Sequence, residues 1–215
     1  MRKLMTLAFV AGLALYCGSA SAGDQTIVGQ KLLILNPASG PADNKVVFVS
    51  KDPSIGPTPG QNEAPGYPAG AALTVRSVAS GESFTIPLPF PNWTDLLVTG
   101  QNQTYKYRDT TSATCKMAII KVDVTVNGPK LIKVVCQGMQ VSYALGADQV
   151  SVDVVLSSGT APRRWCTVFN GTTAGCSVVK NGSDGKKYLA KNCTMAPVAC
   201  GSSPSGAFLE VVSAF

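Results

Sequence analysis

Histidine is absent from this 215-residue chain. The absence excludes Ser-His-Asp and Cys-His catalysis, and every metal site that needs an imidazole ligand. Glutamate is scarce too, since Glu63, Glu82 and Glu210 are the only three, and the aspartates are scattered along the chain. An enzyme that acts on a polysaccharide through two paired carboxylates is an alternative, although no motif indicates which two residues would form the pair. We expect a non-enzymatic protein without a cofactor or a metal.

Long apolar runs are also lacking, except at the N-terminus. There, Met1-Arg2-Lys3 precedes an apolar run over residues 4–16, and small residues 18–22 end in an Ala-x-Ala pattern. This layout is typical of a cleavable secretory signal, and the run is too short to span a bilayer. We predict a signal peptide at residues 1–22, a domain at 23–215, and a secreted or periplasmic location. No later stretch is long enough to form a transmembrane segment.

Charge of one sign is not concentrated in any sequence run. Without residues 1–22, the chain has 16 Lys and Arg against 12 Asp and Glu, a net charge of about +4. The longest runs of consecutive basic residues are two pairs, Arg163-Arg164 and Lys186-Lys187. Since solvated surface charge explains both pairs, we expect no nucleic-acid partner.

Cysteine is missing between Cys17 and Cys115, so the predicted domain has six cysteines, all in its second half. An even number in an exported chain indicates disulfides, and six cysteines allow 15 pairings. A long hairpin through the Asn127-Gly128 turn would bring Cys115 near Cys136, with a bulge or register offset. For the other four, two pairings stay open. The nested one, which we favour because residues 177–190 read as a hairpin, joins Cys166 to Cys200 and Cys176 to Cys193; the sequential one joins Cys166 to Cys176 and Cys193 to Cys200.

Short β-like runs recur throughout the chain, separated by Gly, Pro, Asn, Asp and Ser. This spacing predicts an all-β fold, an antiparallel β-sandwich or an open barrel, with a disulfide-rich C-terminal part. A sub-boundary near residue 110 would separate the cysteine-containing half, 111–215. The proline-rich residues 52–70 are predicted to form a long loop. The predicted strands are 30–35, 45–50, 72–77, 83–86, 105–108, 117–126, 131–136, 140–144, 150–156, 165–169, 177–180, 187–190 and 208–212.

Several short motifs follow one another in an order that covers most of the chain. They are Gln30-Lys31-Leu32-Leu33-Ile34, Lys45 to Pro53, Gly70-Ala71-Ala72-Leu73, Trp93, Tyr105-Lys106-Tyr107-Arg108-Asp109, Trp165-Cys166-x-x-Phe169 and Pro197-x-x-Cys200. This succession resembles an uncharacterised family of secreted, β-rich, disulfide-containing bacterial proteins. The resemblance implies a β-rich secreted module and no particular activity. It also implies that Cys166 and Cys200 are a recurrent pair, and that Cys176 and Cys193 are an added one.

Aromatic residues are few, and three of them could form an exposed platform for carbohydrate. These are Trp93, Tyr105 and Tyr107, of which the two tyrosines share a face of one predicted strand. The alternative is that they belong to the core, as we expect for Trp165 beside Cys166. The predicted function is a binding or structural role at the cell exterior, with carbohydrate or another surface protein as the partner. A subunit of a surface filament is a further alternative, and the ligand and the oligomeric state stay open.

Overall fold

The structure is a computed structural model that describes residues 23–56, 65, 69–96, 102–111, 115–123, 130–159 and 163–200. The predicted signal peptide, the Asn127-Gly128 turn, most of the proline-rich loop and the predicted strand 208–212 lie outside these residues. Within the described parts, no helix has the length and hydrophobicity needed to cross a membrane.

The described residues contain thirteen strands in two packed, mostly antiparallel sheets, which confirms the predicted all-β fold of the sandwich type. In chain order they are β1 (Asp24–Thr26), β2 (Gly29–Leu35), β3 (Lys45–Ser50), β4 (Ala71–Ser77), β5 (Ser83–Leu88), β6 (Trp93–Asp95), β7 (Asn102–Arg108), β8 (Cys115–Asp123), β9 (Leu131–Gln137), β10 (Ser151–Ser158), β11 (Arg163–Asn170), β12 (Ser177–Asn181) and β13 (Lys187–Lys191).

The chain crosses repeatedly between the two sheets. The five-stranded sheet has the order β1-β11-β10-β4-β5, and the eight-stranded sheet has the order β12-β13-β2-β3-β9-β8-β7-β6. All described pairings are antiparallel except that of β1 with β11. Each sheet therefore combines strands from before and after residue 110.

The core lies between the sheets and is formed by alternate residues of each strand. In β3, Val46, Phe48 and Ser50 are buried, whereas Lys45, Val47 and Val49 face outward. Trp165 is fully buried, as expected. The sheets approach most closely at β2 and β11, where a Cβ on Gly29 would lie 2.5 Å from the Phe169 ring. Only glycine leaves room for that ring, which packs edge-on against Phe48 with 6.2 Å between ring centroids.

Residues 138–150 cross one end of the sandwich from β9 to β10. The predicted strand 140–144 is wrong here, because residue 140 belongs to a turn and residues 141–144 pair with no described strand. Its alternation is real, since Val141, Tyr143 and Leu145 are buried and their neighbours are exposed. Side chains replace the missing ladder: the amide of Asn44 donates to the Val141 carbonyl (2.9 Å), and the amide of Asn36 donates to the Tyr143 carbonyl.

Other strand predictions need smaller corrections. The strand predicted at 150–156 begins at Ser151, and Val150 is 66% exposed in the preceding loop instead of buried. The short strands β1 and β6 were not predicted at all. Each has three residues and exists because a distant partner, β11 or β7, provides the hydrogen bonds.

The three disulfides join Cys115 to Cys136, Cys166 to Cys200 and Cys176 to Cys193. The nested pairing is therefore the one that the structure contains. Cys115 and Cys136 lie opposite each other on β8 and β9, next to the expected bulge. The other two bonds close the open end of the β12–β13 hairpin and attach residue 200 to β11. Because folded chains hold such bonds in oxidising compartments, the disulfides indicate an oxidising environment.

Candidate binding face

Carboxylates were the residues on which an enzymatic alternative depended. Three of the described ones accept hydrogen bonds from unrelated partners in different parts of the fold. Asp153 accepts from Arg76 (2.8 Å), Asp109 from the Tyr107 hydroxyl (3.3 Å), and Asp184 from the Lys186 amide (2.9 Å). The two backbone amides after Asp184 also hold its pKa below the ordinary value. These carboxylates thus stabilise turns, loops and the outside of a sheet.

The described carboxylates and cysteines form no cluster able to hold a metal ion. A cavity of about 450 Å³ opens beside the ends of β2 and β3 and contains Asp52 and Asn192. The Asp52 carboxylate, however, accepts from the backbone amide of Ser54, two residues on in the same turn, and from that of Val28, just before β2. The one acidic group that lines this cavity therefore already accepts hydrogen bonds from the backbone.

The aromatic platform predicted from Trp93, Tyr105 and Tyr107 is not present at the surface. These residues are 8%, 4% and 1% exposed, because they point from β6 and β7 into the space between the sheets. Trp93 packs edge-on against Tyr107, with 5.4 Å between ring centroids, and donates to the Leu88 carbonyl (2.9 Å). Burial also raises the pKa of Tyr107. The three rings belong to the core and cannot stack on a carbohydrate without unfolding this edge.

The outer face of the eight-stranded sheet has a composition that is unusual for a solvated surface. One row runs across five adjacent strands, and strand register places its residues side by side. All five are apolar and none exceeds partial exposure: Leu189, Leu33, Val47, Val135 and Met117. An antiparallel sheet that turns one face to water ordinarily alternates apolar and polar residues. Here the outward positions of this row are apolar as well.

Cations surround this apolar row on the same outer face. On one side lie Lys187 and Lys45, and on the other lie Lys191, Lys31, Lys133 and Lys106, placed by register. Arg108 stands beside Met117, and Lys121 lies one row further out. We call these eight cations and the apolar row the cationic face. Among the described side chains, this face holds no carboxylate, and its cations form no ion pair.

Two of these lysines lie directly opposite each other. Lys31 on β2 faces Lys191 on β13 across the ladder. Like charges in this position destabilise a sheet. Lysine side chains reduce the cost by laying their methylene stems over apolar neighbours and keeping the ammonium groups in water. The repulsion between Lys31 and Lys191 therefore lowers the stability of the sheet to which both belong.

The chain matches no protein-family model, no curated protein and no solved structure in three comparisons. The cationic face was not predicted, because its residues come from six separate chain segments. A partial signal was present in the sequence: Leu32 to Leu35, Val46 to Val49, Ile119 to Ile120 and Val134 to Val135 are apolar at consecutive positions, which indicates strands with two apolar faces.

Proposed function

We propose that this chain is an exported, non-enzymatic β-sandwich module that acts by binding an anionic partner through its cationic face. One observation carries the proposal: an apolar row bordered by cations occupies the outside of a sheet, with no described carboxylate beside it. Exposed apolar patches with a polar rim are typical of interaction sites. A cation cluster of this kind also attracts a negatively charged partner from a distance.

The rest of the molecule supports binding over catalysis as the better explanation. Asp52, Asp109 and Asp153 are engaged by neighbouring groups of the fold, and the candidate aromatic rings lie in the core. Polar groups committed in this way would first have to be released before they could transfer a proton. The ammonium groups of the cationic face, by contrast, form no ion pair with a described side chain.

Export by a signal peptide at residues 1–22 belongs to the same proposal. The three disulfides support it, because the oxidising compartments that preserve such bonds lie outside the cytoplasm. Secretion into the periplasm or beyond the cell would bring the cationic face to envelope components, many of which are anionic.

Amine acetylation of the oxidised protein, with and without isolated cell envelopes, tests the binding face. Lys31, Lys133 and Lys191 should be acetylated more slowly when envelopes are present, because bound partner covers their amines. Lys51 and Lys186 are exposed in the loops just after β3 and just before β13, are not members of the cationic face, and serve as internal controls. Mass spectrometry of the digested protein measures each site. Equal acetylation of the face with and without envelopes, or protection of the two loop lysines alone, would contradict the proposal.

A further inference from the structure

We infer that the partner of the cationic face is an anionic lipid surface, an inference that rests on the proposed function and specifies its ligand. A sheet surface of this kind has a defined size. Six strands, β13 to β7, spaced about 4.8 Å apart and rising about 3.3 Å per residue, give a patch of roughly 24 by 20 Å. That area is wide enough to cover several lipid headgroups at once.

The pattern of the patch matches the layers of a lipid surface. Leu33, Val47 and Val135 lie in the middle of it, and lysines border them on two sides. On an anionic bilayer, flexible lysine stems reach the phosphate groups while apolar residues contact the headgroup–acyl boundary. Both halves of the patch are then used, whereas a purely ionic partner would use only the lysines.

The composition of the patch argues against a protein partner. Protein interfaces are enriched in aromatic residues and arginine and depleted of lysine. The cationic face has the opposite composition, with seven lysines, one arginine and no described outward-facing aromatic residue. A second copy of this chain is also disfavoured, because two such faces would bring their lysines together with no described carboxylate between them.

A carbohydrate partner fits less well for a similar reason. Sugar rings are held by stacked aromatic rings and by side chains that both donate and accept hydrogen bonds. Ammonium groups only donate, and the rings that could stack lie between the sheets. Phosphate groups, in contrast, need donors alone.

Sedimentation with phospholipid vesicles tests the inference on the oxidised, processed protein. We expect binding to mixed phosphatidylcholine–phosphatidylglycerol vesicles, weakening as salt is added, and no binding to phosphatidylcholine alone. Since one lysine near an anionic surface strengthens binding by about fivefold, the double variant Lys31→Gln/Lys133→Gln should bind about 25-fold more weakly. The matched control Lys51→Gln/Lys186→Gln removes the same charge from the loops after β3 and before β13 and should bind within about twofold of the parent.

A second variant separates lipid from other anionic ligands. Val47→Thr keeps the β-branched shape but places a hydroxyl in the apolar row, and it should weaken vesicle binding while binding to dextran sulfate, a polyanion without hydrocarbon, stays unchanged. Thermal unfolding of each variant shows that the sandwich is intact. Equal losses in the two double variants would overturn the inference, because net charge alone would then explain binding. Binding to dextran sulfate without binding to vesicles would overturn it in favour of an acidic polysaccharide.

The two proposals fail in different ways. If envelopes protect Lys31, Lys133 and Lys191 from acetylation but anionic vesicles do not bind, the lipid inference is wrong and the binding face stands. If neither protection nor vesicle binding occurs, both are wrong.

Discussion

The outer faces of the two sheets differ in whether their polar and charged residues have partners within the molecule. On the five-stranded sheet, Thr74 and Thr85 share a hydrogen bond (2.9 Å), Arg76 pairs with Asp153 (2.8 Å), and Arg164 pairs with Asp24 (3.2 Å). Cross-strand partners of this kind stabilise a sheet. On the eight-stranded sheet, the corresponding positions in the cationic face are aliphatic residues and lysines, and none of these lysines forms an ion pair with a described side chain.

The surface chemistry of the sandwich is therefore divided by sheet. Both sheets face the same core and have the same alternation toward it, so folding alone does not explain the difference. The charges of the five-stranded sheet are neutralised within the molecule, whereas those of the eight-stranded sheet are available to something outside it.

The largest effect should come from breaking a pair on the five-stranded sheet. Asp153→Ala removes the carboxylate that accepts from Arg76, and we expect it to lower the free energy of unfolding by about 2 kcal/mol. Lys133→Ala, on the cationic face, removes an unpaired charge and should change stability by less than about 0.5 kcal/mol. Urea unfolding measures both. Equal destabilisation by the two changes would mean that the faces do not differ as described.

A smaller effect should follow from separating the sheets at Tyr188. Its hydroxyl, which lies on the eight-stranded sheet, donates to the Phe169 carbonyl of the other sheet (2.8 Å). Tyr188→Phe should therefore cost about 1 kcal/mol at neutral pH, again measured by urea unfolding.

The same residue gives a pH dependence. Burial raises the pKa of the Tyr188 and Tyr143 hydroxyls above their ordinary value of 10. The stability that each contributes is complete below that value and is lost as pH rises above it, because the unfolded chain releases the proton first. Stability should fall above about pH 10, and Tyr188→Phe should make that fall shallower. A slope that the substitution leaves unchanged would assign the alkaline loss to other groups.

The smallest effect should be a gain. Lys191→Glu places a carboxylate opposite Lys31, and we expect the cross-strand ion pair to stabilise the sheet by about 0.5 kcal/mol. Lys191→Gln is the control that removes repulsion without adding attraction. If Lys191→Glu stabilises the protein while weakening vesicle binding, the cationic face is shown to sacrifice stability for binding. Destabilisation by this change would contradict the proposed repulsion.

Local patterns predicted most strands because each strand must bury one face. The strand at Lys45–Ser50 was predicted with the bounds that the structure has, and the Cys115–Cys136 bond followed from hairpin geometry. Residues 140–144 show the limit, because alternation reports burial and not which group takes up the backbone hydrogen bonds. That role belongs to Asn36 and Asn44, about a hundred residues away.

The candidate site could not be predicted in the same way. Leu33, Val47 and Met117 become neighbours only through the register of strands that are far apart in the chain. A single strand such as β9 has the alternating burial of an ordinary strand with one face in the core. The aromatic platform was predicted from the right strand and the wrong face, since period-two spacing places Tyr105 and Tyr107 together without saying whether they point inward.

The bond between Cys166 and Cys200 has a consequence for orientation. Cys166 lies between the inward-facing Trp165 and Thr167, so it faces away from the core, on the outside of the five-stranded sheet. The disulfide therefore holds residue 200 on the side of the molecule opposite the cationic face. If the protein lies on a surface through its cationic face, residue 200 is therefore held on the side that points away from that surface.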